Sequence, residues 1–458
     1  MINDKEMLGT APVGSLLFRL ALPTVMAQLI NMLYNIVDRM FIGHMPVDGD
    51  LALTGLGVCM PVIMLVSAFA ALVSSGGAPR ASIFLGQKDV KSAERTLGGC
   101  FGLQIVISVF LSVALLLWNR EILMLFGASE NTIGYAADYM SIYALGTLFV
   151  QLTLGMTAFV SAQGFTKISM YSVILGALVN IALDPILIYG FHMGVKGAAL
   201  ATVLSQGISC AWILSFLCGK KTYLRLQPKY FISSPALILP CVALGLATFI
   251  MQASESVISV CFNLSLLKYG GDLAVGAMTI LSSVMQFAML PLQGIAQGAQ
   301  PILSYNYGAQ NADRVKKTFK LLLCTCLIYS VTLWLCVMLF PRAFAVIFAD
   351  RAALVDFTAR VIRIYFGGML LFGIQVACQM TFVSLGNAAS SVMVAVMRKF
   401  VLLLPLIYLM PHMVSDPTVG VYLAEPIADV AAVTFTTFLF VFQFRRALRK
   451  IKPCPEKN

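Results

Sequence analysis

Apolar stretches recur along the chain at positions 15–43, 51–76, 95–118, 135–163, 166–190, 195–218, 236–264, 272–298, 316–340, 357–385, 389–410 and 421–443. Each is close to the roughly 20 residues that cross a bilayer as a helix, so the pattern predicts about twelve transmembrane spans. The one long hydrophilic connection, from Gly219 to Pro235, separates six spans from six. The expected organisation is a first lobe over 1–218, a linker over 219–235, a second lobe over 236–446 and a tail over 447–458. The fold class expected is all-α integral membrane, with two pseudo-symmetric six-helix lobes. Met1 to Gly14 is mixed in charge and no small-residue cleavage pattern follows span 1, so that span reads as a membrane helix and not as a signal peptide.

A duplication underlies the division. Gly49-Asp50-Leu51-Ala52 returns as Gly271-Asp272-Leu273-Ala274, a shift of 271 − 49 = 222 residues. The same shift carries Val62 onto Val284, Gly76 onto Gly298, Pro79 onto Pro301, Ser82 onto Ser304 and Gly86 onto Gly308. Because six is even, both halves enter the membrane in the same sense, as parallel repeats about an axis along the bilayer normal. Duplicated membrane chains place their substrate site between the halves near the midplane, which makes a transporter the expected class.

Polar residues inside the spans fall on faces. Gln28, Asn31, Asn35 and Asp38 are spaced by three, four and three residues, one side of a helix. Gln252, Glu255, Ser259 and Asn263 form a like stripe in span 7, at a shift of 252 − 28 = 224. An Asp at the centre of a span costs about 2.5–3.5 kcal/mol on insertion scales, so these faces are expected to line a wet interior. Interhelical hydrogen bonding is the competing reading for the amides. Gln28, Asn31, Asn35, Gln206, Gln252 and Glu255 are the expected cavity residues.

The intramembrane acids are Asp38, Asp184 in span 5 and Glu255 in span 7. Asn180 lies one turn before Asp184, and Pro185, which has no N–H, frees the carbonyl of Ile181 to help hold a cation. Span 6 adds Thr202, with Gln206 on the same face, and span 1 adds Tyr34 one turn before Asp38. Such hard oxygen donors suit Na⁺. Two desolvated carboxylates in proximity also suit a proton, and the sequence leaves both ions open. Glu425 and Asp429 fall near the outer start of span 12, where access to water is expected. Arg398 and Lys399 fall in the cytoplasmic half of span 11, where snorkelling is expected. Pro23 is a candidate kink in span 1. The 24 methionines read mostly as core, with some lending a binding cavity its adaptability.

Composition narrows the class. With 59% hydrophobic residues, 11% charged residues and a mean hydropathy of +0.89, the chain is no ordinary soluble domain. Its +11 charge follows topology and does not mark a nucleic-acid partner. Arg80, Lys88, Lys91 and Arg95 lie between spans 2 and 3, and Lys220, Lys221, Arg225 and Lys229 between spans 6 and 7. Arg314, Lys316, Lys317 and Lys320 follow span 8, and Arg445, Arg446, Arg449, Lys450 and Lys452 crowd the C-terminus. The positive-inside rule makes these segments and both termini cytoplasmic. Arg342, Arg351, Arg360 and Arg363 fall outside in this reading, and the neighbouring Asp350 and Asp356 do not account for them.

The eleven cysteines form no C-x-x-C pair and most, such as Cys59, Cys100, Cys210, Cys261, Cys336 and Cys378, sit in apolar spans as small filler. His44, His192 and His412 show no H-E-x-x-H spacing. No nucleophile–base spacing or metal motif points to an enzyme, and no cofactor is expected. Nothing in a duplicated chain demands a second copy, so a monomer in the lipid bilayer is expected.

Several segments together resemble the multidrug and toxic compound extrusion (MATE) family, in particular its Mep-like bacterial exporters. They are Leu20-Ala21-Leu22-Pro23, Tyr34-Asn35-Ile36-Val37-Asp38-Arg39, Gly76-Gly77 through Gly86-Gln87, Gly197-Ala198-Ala199, and Gln300-Pro301 through Asn306-Tyr307-Gly308. The resemblance covers nearly the whole chain. It implies a V-shaped pair of lobes in the plasma membrane, exporting cationic, amphipathic drugs in exchange for entering H⁺ or Na⁺. It further implies a first-lobe cation site at Asp38, Asn180, Asp184 and Thr202, with Tyr34 nearby, and a bend of helix 1 at Pro23. Glu255 matches the helix 7 acid of a second-lobe site, but Tyr365 to Gly386 contains no Asp or Glu to match its helix 10 acid. The alternative is a lipid or oligosaccharide flippase of the same broad architecture, whose cavity is expected to carry many Arg and Lys.

Overall fold

The computed structural model describes residues 7–45, 49–348 and 351–451. Residues 1–6 of the leader, Asp350, Lys452 and the tail over 452–458 lie outside the described residues. Every regular element among the described residues is helical. A chain this apolar satisfies its backbone within each spanning segment, because hydrocarbon offers no other partner.

The first six spans are α1 (Val13–Gly43), α2 (Gly49–Gly86), α3 (Val90–Leu117), α4 (Ile133–Ala162), α5 (Thr166–Gly190) and α6 (Val195–Cys218). The helical stretch Pro235–Gly308 turns back at Gly271, whose φ of 65° and ψ of −164° are non-helical. It therefore supplies two spans, α7 (235–270) and α8 (272–308). The last four are α9 (Ala312–Leu339), α10 (Ala352–Ser384), α11 (Ala388–Met413) and α12 (Pro417–Arg449). Several helices outrun the apolar stretches that announce them. The 38 residues of α2 extend about 57 Å, well beyond the roughly 30 Å hydrocarbon core.

The repeat is visible in local backbone. Asp89 caps α3 by accepting from the Ser92 N–H at 3.0 Å, and Asn311, 222 residues later, caps α9 by accepting from the Arg314 N–H at 3.2 Å. Hydrogen bonds from Ser92 hold the Asp89 carboxyl below its ordinary pKa. Lys88 and Gln310, just before these caps, both adopt positive φ, as do Gly164 and Gly386.

Each lobe has its own apolar core. Leu56, Val62, Met140 and Ala199 belong to the first, and Phe262, Leu281, Phe366 and Tyr422 to the second. A further core joins them at the end nearest the N-terminus, where Leu16, Leu20 and Ala21 of α1 pack with Leu292, Ala299 and Ile302 of α8.

Glycines let the lobes meet there. A Cβ on Gly86 would stand 2.0 Å from the Tyr305 carbonyl oxygen, and one on Gly308 would stand 2.0 Å from that of Ile83. Since 83 + 222 = 305 and 86 + 222 = 308, these are one contact made twice about the pseudo-twofold axis. Gly298 touches Ala21 and Gly76 touches Cys241 and Gly245 in the same way. The symmetry is broken at Ser82, which donates to the Pro301 carbonyl at 3.4 Å, whereas Ser304 donates to Ser384 at 2.9 Å.

The linker is ordered by the first lobe. Gln163 Oε1 accepts from the Thr222 hydroxyl and from the backbone N–H groups of Tyr223 and Leu224. The Glu94 carboxylate accepts from the Arg225 N–H and the Gln227 amide.

Candidate functional site

Hydrogen bonds between the lobes gather at the N-terminal end. Thr24 Oγ1 donates to the Gly294 carbonyl at 2.6 Å, and Gln28 Nε2 to Gln297 Oε1 at 3.2 Å. Phe69 and Phe249 meet edge to face at 5.0 Å. Further along α7, Gln252, Glu255, Ser259 and Asn263 form one polar stripe on a helix set in hydrocarbon, and none of the four is buried. Asn31 and Asn35 of α1 are not paired across to it. Asn35 Nδ2 donates instead to the Asn31 carbonyl at 2.6 Å. Asn31 and the four polar residues of α7 are thus left unburied beyond the α1–α8 crossing at Thr24 and Gln28. Helix α1 is continuous through Pro23, which is buried. The adjacent Thr24 hydroxyl also donates to the Ala21 carbonyl at 2.7 Å.

Inside the first lobe, α1 and α5 bring Asp38 and Asp184 together, each carboxyl within the other's hydrogen-bonding reach. Asp38 is 7% exposed; Asp184 and Asn180 are fully buried. Asn180 Nδ2 donates to Asp184 Oδ1 at 3.4 Å, the one-turn spacing turned into a contact. Pro185 interrupts the ladder and α5 finishes as a π-helical turn, Ile186–Gly190. That turn aims the Tyr189 hydroxyl at the Phe41 carbonyl, 2.6 Å away, and ties the end of α5 to the end of α1.

Tyr34 lies beside Asp38, Asn35 and Gln206, which places Gln206 at the carboxylate pair as well as on the face of α6. Thr202 meets the hydroxyl of Tyr139 on α4, itself close to Asp38. Sequence reasoning misses Tyr139 and Tyr143. Their i,i+4 spacing, which Tyr135 extends by one more turn, is the signal that marks them.

Four buried oxygens of this cluster lack hydrogen-bond donors: Asp38 Oδ1, Asp184 Oδ2, Asn180 Oδ1 and Gln206 Oε1. No Lys or Arg forms a salt bridge with either aspartate among the described residues. Two carboxylates in contact cannot both carry full charge without a cation between or beside them. The donor set fits Na⁺, a hard ion that takes oxygen ligands, and equally fits a proton shared by the pair.

The second lobe corrects three expectations. Arg398 and Lys399 do not snorkel to an interface: they are 7% and 3% exposed, within a π-helical segment of α11, Met397–Leu403. Glu425 and Asp429 are not washed by outer water but are 6% and 2% exposed. Arg398 bridges them, with Nη2 at 2.9 Å from Asp429 Oδ1 and 3.3 Å from Glu425 Oε1. Its guanidinium also lies over the Phe372 ring of α10 at 4.6 Å, so α10 contributes an aromatic face to this cluster. Lys399 Nζ stands 2.6 Å from Glu255 Oε1. One physical reason covers these buried charges: deep in the membrane they are held by one another and not by water. Third, Asp356, not expected to account for the external basic residues, pairs with one of them, Arg342, at 2.7 Å.

A duplicated bundle of apolar helices that encloses carboxylates and leaves polar faces of α1 and α7 unburied has the design of a multi-pass membrane transporter, and not of an enzyme. The MatE family model matches it twice, over residues 23–186 and 247–409, once in each lobe. The chain belongs to that family. Multidrug export protein MepA of Staphylococcus haemolyticus (strain JCSC1435) is 27% identical over 354 residues, 77% of each chain. MepA of Staphylococcus saprophyticus subsp. saprophyticus is 24% identical over 423 residues, 92% of each. Among solved structures, MATE in the bent conformation superposes with a TM-score of 0.91 at 21% identity, over 98% of this chain and 99% of that one. An outward-facing multidrug resistance MATE family transporter of the MOP superfamily gives 0.90 at 20% identity, with the same coverage. The bacterial relatives and the twelve long apolar spans among the described residues make this a multi-pass plasma-membrane protein.

Proposed function

We propose that the chain is a secondary active exporter of cationic, amphipathic compounds, driven by the entry of H⁺ or Na⁺ at the Asp38–Asp184 pair. The observation that carries this reading is the pair itself: two buried carboxylates in contact, flanked by amide oxygens without donors and by no salt-bridged base. Asn180, Thr202, Tyr34 and Gln206 complete the cation site. The unburied amides of α1 and α7 and Glu255 receive the substrate, Pro23 gives α1 its hinge, and both termini lie in the cytoplasm. Residues 1–218 and 236–446 act as the two moving lobes, in a monomer.

Coupling needs no contact between drug and ion. It needs only that each binds the inward- and outward-facing forms with different affinity. A charge moving down 100 mV releases about 2.3 kcal/mol, which supports roughly a fifty-fold gradient of a neutral substrate. A monocation exchanged for one entering cation gains nothing from voltage and relies on the ion gradient.

A flippase for acidic lipid-linked substrates is disfavoured. The two intramembrane bases of the second lobe are neutralised by Glu255, Glu425 and Asp429, so they present no excess positive charge to an anion. The test is transport by protein in liposomes loaded with ethidium, under an imposed pH or Na⁺ gradient, for the native chain, Asp38→Asn and Asp184→Asn. Gradient-driven efflux by the native chain alone supports the reading. Full efflux by either variant removes the pair from the mechanism.

A further inference from the structure

The second-lobe cluster holds more than a structural ion pair. It contains three carboxylates, Glu255, Glu425 and Asp429, against two resident cations, Arg398 and Lys399, and is one positive charge short: 2 − 3 = −1. The members differ in access. Arg398, Glu425 and Asp429 have side chains only 8%, 7% and 2% exposed, and the guanidinium is committed to both acids. Lys399 is equally sunken, at 4%, yet its partner Glu255 is 56% exposed and stands on the polar stripe of α7. The one carboxylate of the cluster that an incoming molecule can reach is therefore already covered by an ammonium from behind.

We propose that Lys399 is a tethered competitor cation: it occupies Glu255 while no substrate is bound and is displaced when the cationic group of a transported compound takes that carboxylate. The displaced ammonium has a destination. Glu425 lies close enough to Lys399 to interact with its charge, and shares Arg398 with Asp429. With the substrate's charge added, three cations meet three carboxylates and the cluster is neutral. The pair thereby sets selectivity, because a neutral amphiphile has nothing to offer Glu255 and leaves Lys399 in place. The inference deepens the export reading by assigning a substrate contact, and rests on it only in taking organic cations as the ligands.

Equilibrium binding to the full-length chain in lipid nanodiscs, with no ion gradient, separates this claim from the coupling claim. The probes are ethidium, a monocation, and Nile red, a neutral fluorophore of similar bulk. Glu255 is 56% exposed, so Lys399→Gln does not leave that carboxylate sealed and unpaired. It is expected to tighten ethidium by about ten-fold, the effect of removing one competing charge near a carboxylate. Glu255→Gln is expected to weaken ethidium by a similar factor, and Glu255→Gln with Lys399→Gln to match Glu255→Gln alone. Nile red is expected to shift by less than about two-fold throughout. Ethidium binding weakened or unchanged by Lys399→Gln, parallel shifts in the two probes, or no ethidium binding by any variant overturns the proposal. Failure of gradient-driven transport with these binding shifts intact would instead fault the export reading.

Discussion

The Asp38 carboxyl on α1 meets the Asp184 carboxyl on α5 inside the first lobe, with neither forming a salt bridge to a base among the described residues. The second lobe solves the same burial problem in the opposite way, by seating Arg398 and Lys399 on its acids. Lobes related by duplication have thus become electrostatically unlike. One holds carboxylates without resident cations and the other carries its cations in the chain.

That contrast makes Arg398 a stability determinant. Arg398→Met strands Glu425 and Asp429 in hydrocarbon, and breaking such a buried pair costs about 3–5 kcal/mol. Thermal unfolding in detergent, followed by the fraction remaining monodisperse, is expected to fall sharply for this variant. The triple change Arg398→Met, Glu425→Gln, Asp429→Asn is expected to recover most of the loss, since it removes the charges together. No recovery would mean that Arg398 acts through packing on Phe372 instead.

The reciprocal glycine contacts predict paired effects. Gly86→Ala and Gly308→Ala each drive a Cβ into a backbone carbonyl that no side-chain rotation can relieve. Each is expected to destabilise by about 1–3 kcal/mol, with similar size because the contacts are symmetry copies. Gly57→Ala serves as the control, since nothing lies within 4 Å of the place its Cβ would take. The same melting assay checks all three, and an unaffected Gly86→Ala would contradict the close approach of α2 and α8.

Joining the lobes where they cross tests whether they must move apart. Cysteines placed at Gln28 and Gln297, whose side chains are 3.2 Å apart, are expected to cross-link with a short bifunctional thiol reagent and to stop transport in liposomes. Reversal by a reducible linker is expected to restore it. Undiminished transport by the cross-linked protein would mean that this contact persists through the cycle.

Much of this arrangement is legible in the sequence, for identifiable reasons. Twelve apolar stretches, a shift of 222 residues and the stripe Gln28, Asn31, Asn35, Asp38 are periodic signals, and periodicity follows directly from helix geometry. Asn180 and Asp184 belong with them, one turn apart on one helix. The Arg398–Glu425–Asp429 cluster is not legible that way, because its contacts run between helices and a linear pattern does not say how neighbouring spans are rotated. A weaker signal is present. Glu425 and Asp429 share a face by i,i+4 spacing, and the span just before them, running antiparallel, carries Arg398-Lys399, although the apolar boundaries set those bases toward its cytoplasmic half. Tyr139 and Tyr143 escape for the same reason, since an aromatic in an apolar span reads as core until the neighbouring helix is placed against it.

The most direct test of the central claim is cation binding itself. Purified native protein, Asp38→Asn and Asp184→Asn would be titrated for ²²Na⁺ uptake at fixed pH and, in Na⁺-free buffer, for proton uptake from a calibrated indicator. The account predicts one saturable first-lobe cation site in the native chain, lost in each variant while both remain monodisperse. Undiminished uptake of both ions by the two variants would contradict it.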